Sequence, residues 1–332
     1  MNVRRRLIPA AAATAITALA LGTLSACSSD SSAAAGGSDK FDVVASFYPM
    51  AFLAEQIGGA HVNVTSLTQP GQEPHDLEIS AKQTAQLEET DAALYLKGLQ
   101  PTVDEAIVQS GVQTKIDAAT LTSLEAPGAE ADTHEDEVEG EHAGEAESGH
   151  EGHGHETEGG TDPHVWLDPV KYAEVAEGVG KAFEKADPDH AADYEKNTEA
   201  LVGKLNDLDV RFETGLEDRK TDVFITTHAA FGHLAGRYGL VQEAINGLDP
   251  ESEPSAARVK QLSETAKADG VTTVFYETLV SDKTAKTVAR DAGLRTDVLD
   301  PLEGITEKSR GDDYFQVMES NLKSLQTALG AK

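Results

Sequence analysis

Short apolar runs alternate with helical patterns in two halves of this chain, with one long amphipathic stretch between them, and that alternation narrows the fold more than any other feature. In the first half, Asp42 to Phe47, Val62 to Leu67, Ala93 to Leu96 and Thr114 to Ile116 read as strands, with helices over Tyr48 to Ile57 and Ser80 to Glu89. In the second, Asp222 to Thr226, Leu240 to Ile245, Val271 to Tyr276 and Arg295 to Leu299 read as strands, with helices over Ala229 to Tyr238, Pro254 to Ala268 and Asp282 to Ala292. Strands spaced by helices of this length build parallel sheets. The expected class is α/β, with two Rossmann-like parallel-sheet lobes. No internal sequence repeat accompanies the shared pattern.

Between the halves, Tyr194, Leu201, Leu205, Leu208, Phe212 and Leu216 recur at spacings of three, four or their sums and define one apolar face. Asp187-Pro188 offers an N-cap followed by proline at the first helical position. A helix from Pro188 to Glu217 would be about 45 Å long, enough for a strut lying across two lobes. The expected organisation is therefore an N-terminal lobe over 41–186, a linking helix over 187–218 and a C-terminal lobe over 219–332.

The chain begins with an export signal over 1–26: Arg4, Arg5 and Arg6, then an apolar segment from Leu7 to Leu21 that is too short and too weakly hydrophobic for a transmembrane span. It closes on Leu24-Ser25-Ala26-Cys27, which resembles a bacterial lipobox. That resemblance implies cleavage before Cys27 and lipid on its thiol and on the new amino terminus. The protein would then be extracytoplasmic and anchored to the outer face of the membrane. Cys27 is the only cysteine, and a lone thiol closes no internal disulfide. One acyl chain anchors only marginally, so more than one is expected. A Ser/Ala/Gly-rich tether then completes the segment 27–40.

The formal charge of −31 argues against nucleic acid or anionic lipid as partners. Much of it is concentrated between Ala129 and Gly160, where His134, His142, His150, His153 and His155 stand among twelve carboxylates. This segment has almost no apolar side chains to offset the entropy of ordering it, so it reads as a solvated, mobile loop. Imidazole mixed with carboxylate also suits weak contact with a divalent transition metal.

Four further residues share a topological position. His75 follows the second strand, His164 lies in Asp162-Pro163-His164, His228 directly follows the strand DVFIT, and Asp300 ends the last strand in Val298-Leu299-Asp300-Pro301. In open α/β sheets ligands bind beyond the carboxyl ends of the strands, and three of the four sit at such ends. Three imidazoles and one carboxylate suit a four-coordinate zinc ion. Glu277 also ends a strand; its first reading is structural, and a place in the cleft as a ligand or as the partner of one is the lesser alternative. His233 is read as packing or surface, His61 and His190 as surface or cap positions, and Asp168-Pro169 as the cap of a following helix. Gly178-Val179-Gly180 lacks a preceding strand and is not a dinucleotide fingerprint.

The pieces Phe47-Tyr48-Pro49, Pro74-His75-Asp76-Leu77-Glu78, Asp162 to Pro169 and Thr227 to Leu240 occur in an order that resembles the zinc/manganese solute-binding lipoproteins of ABC importers, the metal-binding cluster A-I proteins. The resemblance spans Phe41 to Leu329. It implies two α/β lobes joined by one long helix, a single metal in the interlobe cleft, no enzymatic activity, a cognate ABC permease as partner and a monomeric unit. By position His75, His164 and His228 carry over as ligands, and Asp300 matches the family's carboxylate, although a water or a loop acidic residue takes that fourth place in some zinc members. Manganese members carry a glutamate where this chain has His228, and the third imidazole favours Zn2+ as cargo. Manganese binding, a surface metal-binding adhesin and a zinc hydrolase are the alternatives. For the last, the chain offers no HExxH, no GxSxG and no nucleophile–base pair, only Glu277 or Glu73 as an imaginable base.

Overall fold

The computed structural model describes residues 40–124 and 161–331. Cys27 and the five histidines of the acidic segment lie outside the described residues, and so do the signal and most of the tether. In the first half, β1 (Phe41–Ala45), β2 (Val62–Ser66), β3 (Ala92–Tyr95) and β4 (Thr114–Asp117) form a parallel sheet of order β2-β1-β3-β4. In the second, β5 (Val223–Thr226), β6 (Val241–Ala244), β7 (Thr273–Tyr276) and β8 (Arg295–Val298) form another, of order β6-β5-β7-β8. The two orders are the same, so the halves repeat each other in topology without repeating in sequence. Val43 pairs with Val64 on one side and Ala92 on the other, and both faces of β1 are covered, as a central parallel strand requires.

The helices are α1 (Tyr48–Gly58), α2 (Ala81–Glu89), α3 (Pro101–Gln109), α4 (Pro169–Ala186), α5 (Ala191–Gly215), α6 (Gly232–Arg237), α7 (Ala256–Ala268), α8 (Lys283–Ala292) and α9 (Tyr314–Leu329). Local chemistry sets several of their starts. Ser80 and Gln83 form a reciprocal capping box at α2. Asp168 accepts from the amides of Val170 and Lys171 at the start of α4, with Pro169 next to it. Among the described residues no helix is long and apolar enough to cross a membrane.

Two expectations need correction. The helix expected over Ala229 to Tyr238 forms only from Gly232. The His228 carbonyl is taken by Thr226 Oγ1 at 2.8 Å and Gln242 Nε2 at 3.0 Å, and the Ala229 amide donates to the Gly247 carbonyl. These bonds compete with a helical first turn. The long helix likewise starts at Ala191, after a 3-10 turn over Pro188–His190, so its 25 residues span about 37 Å. Asp187 does not cap it; its carboxylate instead accepts from the Tyr194 hydroxyl at 2.6 Å and pairs with His190 Nδ1 at 2.8 Å.

The predicted apolar face of α5 is buried along its whole length. It packs on α1 and α4 of the first half and on α9 of the second, as a strut across both sheets would. Close approach to α4 depends on Gly180, where an added Cβ would stand 2.3 Å from Thr198 Oγ1. One continuous core runs through both halves and includes Phe47, Trp166, Phe212, Phe275 and Tyr314, while two smaller clusters fill the far side of each sheet.

Candidate metal centre

Four side chains converge where the carboxyl ends of the two sheets face each other: His75, His164, His228 and Glu303. Their nearest donor atoms all lie within 4.8 Å of one another. His75 comes from the loop after β2 and His228 from the bend after β5. His164 opens a 3-10 turn, Val165–Leu167, that leads into α4. Glu303 follows β8 by five residues. Glu303 and His164 are wholly inaccessible and His228 nearly so, whereas the His75 side chain is 12% exposed.

Glu303 Oε1 lies 3.2 Å from Nε2 of His75 and 3.3 Å from Nε2 of both His164 and His228. A tetrahedral zinc with bonds near 2.0–2.1 Å separates its ligand atoms by about 3.3–3.4 Å. The carboxylate-to-imidazole edges thus already have the length of such a shell. Glu303 Oε2 and His228 Nε2 are buried without a protein hydrogen-bond partner; such an arrangement is costly, and at His228 Nε2 a cation would relieve it.

The far nitrogens of two imidazoles are held by buried carboxylates. His164 Nδ1 lies 2.7 Å from Asp162 Oδ1, which also accepts the His164 amide. His228 Nδ1 lies 2.9 Å from Glu277 Oε1, which also accepts the Thr227 hydroxyl. An ionised carboxylate only accepts, so each Nδ1 carries the hydrogen and each Nε2 is directed at the centre. His233 Nε2 donates to the Asp162 carbonyl at 2.9 Å. Gly232 leaves the room for this, since a Cβ there would meet Asp162 Oδ2 at 2.5 Å.

Charge and burial oppose each other across the site. Burial pushes the Glu303 carboxyl up, but the His164, His228 and His75 imidazoles around it outweigh burial and hold the group well below the usual carboxylate range. Burial pushes both His164 and His228 down; Asp162 and Glu303 raise the first, and Glu277 and Glu303 raise the second well above an ordinary imidazole. Burial and then the Glu303 charge push Glu73 up to about 8, against a hydrogen bond from the His75 amide.

The structure therefore brings together the three expected histidines but leaves Asp300 out. Asp300 Oδ1 accepts the Leu302 amide at 2.9 Å and its Oδ2 accepts the Thr278 hydroxyl at 3.2 Å. Its carboxylate is used in the turn, and Glu303, three residues on, occupies the place among the imidazoles. The signal for Glu303 was an acidic residue set between Leu302 and Gly304-Ile305 in an otherwise apolar run. Glu277 sits behind His228 and not within the cluster. His233 is buried, and His61 and His190 stack at 4.0 Å on the surface, paired with Asp193 and Asp187.

Two parallel-sheet lobes bridged by a long helix, with a buried three-histidine, one-carboxylate cluster between them, define a two-lobed metal-binding protein of the solute-binding class. Residues 43–328 match the family model described as ZnuA, zinc-uptake complex component A, periplasmic, and the chain belongs to that family. It is 38% identical over 291 residues to the zinc-binding lipoprotein AdcA of Streptococcus pneumoniae (strain ATCC BAA-255 / R6), covering 86% of this chain and 55% of that protein. The chain thus spans about half the length of the AdcA relatives. It is 34% identical over 300 residues to the high-affinity zinc uptake system protein ZnuA of Bacillus subtilis (strain 168), covering 89% of each. The crystal structure of the Zn(II)-bound ZnuA-like domain of Streptococcus pneumoniae AdcA superposes with a TM-score of 0.69 at 34% identity, over 87% of this chain and 99% of that one.

Proposed function

We propose that this protein captures Zn2+ outside the cytoplasm and hands it to the permease of an ABC importer, with His75, His164, His228 and Glu303 as the ligands. The observation that carries the reading is the set of 3.2–3.3 Å edges from one Glu303 oxygen to three Nε2 atoms contributed by both lobes. Three imidazoles and one carboxylate favour zinc over manganese, which prefers a harder oxygen-rich shell. Four protein donors also close the shell, whereas a catalytic zinc keeps a position open for water or substrate. Transport therefore fits the site better than hydrolysis.

Several finer points belong to the same reading. The segments 41–186 and 219–332 act as the two lobes and 187–218 as the link. Cys27 carries the lipid that retains the protein at the outer face of the membrane. His134, His142, His150, His153 and His155 make weaker, secondary contacts with metal.

The test combines binding and uptake. His228→Ala should lower zinc affinity by orders of magnitude and fail to restore growth of a deletion strain in zinc-chelated medium. Removing 129–160 should leave one tight zinc equivalent and abolish weaker ones. Full zinc affinity in His228→Ala, or loss of the tight equivalent with the acidic segment, would contradict the proposal.

A further inference from the structure

Leu302 is the one non-glycine among the described residues with a positive φ, 58°, and its side chain is fully buried. A branched apolar residue adopts that conformation only where its surroundings impose it. The surroundings here are explicit. Asp300 Oδ1 accepts the Leu302 amide at 2.9 Å, and Asp300 Oδ2 accepts the Thr278 hydroxyl at 3.2 Å. Asn321, on α9, holds both backbone polar groups of Asp300: its Oδ1 accepts the Asp300 amide at 2.9 Å and its Nδ2 donates to the Asp300 carbonyl at 2.7 Å. The intervening Pro301 has a fixed φ, and its carbonyl accepts Trp166 Nε1 at 2.7 Å. The chain is pinned at three successive residues immediately before Glu303.

We infer that Asp300 and Asn321 are positioning residues that hold the left-handed turn at Leu302 and thereby fix how Glu303 meets the metal. The inference rests on the zinc-binding reading above. Held this way, Glu303 presents one oxygen to the three imidazoles, while Oε2 stands without a partner. A loosened turn would free the carboxylate to rotate and offer both oxygens. That change enlarges the shell and shifts it from a small tetrahedral ion toward a larger ion that takes more oxygen ligands. The clamp thus contributes to selectivity for zinc over manganese as well as to affinity.

The test uses the full chain with Asp300→Ala, Asp300→Asn and Asn321→Ala, titrated with Zn2+ and Mn2+ against a competing chelator, and with Co2+ followed by visible absorption. Asp300→Ala and Asn321→Ala are expected to weaken zinc binding by about 10–100-fold, the usual cost of removing an outer support of a ligand. They should also narrow the Zn2+/Mn2+ ratio and weaken the intense bands of tetrahedral Co2+. Asp300→Asn keeps an oxygen for the Leu302 amide and should restore the wild-type Co2+ spectrum. If Asp300→Ala does not fold, Asn321→Ala, which retains the carboxylate, carries the same expectation. An Asp300→Asn variant as impaired as Asp300→Ala would make Asp300 a ligand and overturn the inference, as would wild-type affinity and spectrum in both alanine variants. His228→Ala is measured alongside: its loss of zinc with intact alanine variants sinks only the positioning role, whereas its retention of zinc sinks the site itself.

Discussion

His164 Nδ1 lies 2.7 Å from Asp162 Oδ1 with both side chains buried, so the imidazole that opens the turn into α4 has one fixed orientation and one fixed tautomer. The carboxylate stands on the far side of the ring from Glu303, and Nε2 is left to face the cluster. Asp162→Ala should lower zinc affinity by about 10–100-fold. The outcome is read by chelator competition, and an unchanged affinity would show that the Asp162–His164 pair does not prepare the ligand.

The protonation of the empty site sets its pH dependence. In the folded apo protein the carboxylates raise His164 and His228 above their ordinary values. Groups raised in this way stabilise the fold fully below about pH 6.5, and that contribution is lost as pH rises through their folded values. Glu303 has the opposite sign: its depressed carboxyl contributes above its unfolded value, near 4.5, and the contribution is lost as pH falls through the folded value. Zinc competes with the imidazole protons, so its affinity should climb steadily from pH 6 to beyond neutrality. Thermal melts with and without zinc across this range should show a widening gap in Tm. A constant gap would argue against histidine ligation.

Trp166 ties the His164 segment to the second half through its Nε1 bond to the Pro301 carbonyl, and Tyr314 donates to the Trp166 carbonyl at 2.7 Å. Trp166→Phe leaves the Pro301 carbonyl without its donor and leaves a gap beside Phe47, whose ring centroid is 5.0 Å away. A loss of about 1–3 kcal/mol is expected from the buried unsatisfied carbonyl, with a further cost from the gap. Urea unfolding of the apo protein measures it, and a loss within error would contradict the assigned packing.

Gly180→Ala provides a contrast away from the metal. The added methyl meets Thr198 Oγ1 at the α4–α5 crossing, and overpacking of this kind costs about 1–3 kcal/mol. Stability should fall while zinc affinity holds. Equal loss of both would mean that the helix pair couples to the site more directly than its position suggests.

The sheets and their parallel sense were legible because periodicity places strands, and His75 and His228 because they stand at strand ends, while His164 came from the Asp162-to-Pro169 motif and not from a strand end. The carboxylate was not legible. A search confined to strand ends stops at Asp300, whereas the chain turns through Leu302 in a left-handed conformation normally signalled by glycine. No glycine marks the turn, and Asn321, whose side chain secures it, is 21 residues away. Distance also kept Glu277 from being assigned to His228, 49 residues away, whereas Asp162, two residues before His164, was in plain view and lacked only the folded geometry that shows its carboxylate on the ring. The shortened α6 has a similar origin: Gln242, on β6, takes the carbonyl of His228.

The central claim is that His75, His164, His228 and Glu303 share one cation. Anomalous diffraction at the zinc edge from zinc-replete crystals tests it directly. The account predicts one dominant peak about 2.0–2.2 Å from the three Nε2 atoms and from one Glu303 oxygen. A dominant peak on Asp300 without Glu303, or at the acidic histidine segment with the interlobe cluster vacant, would contradict it.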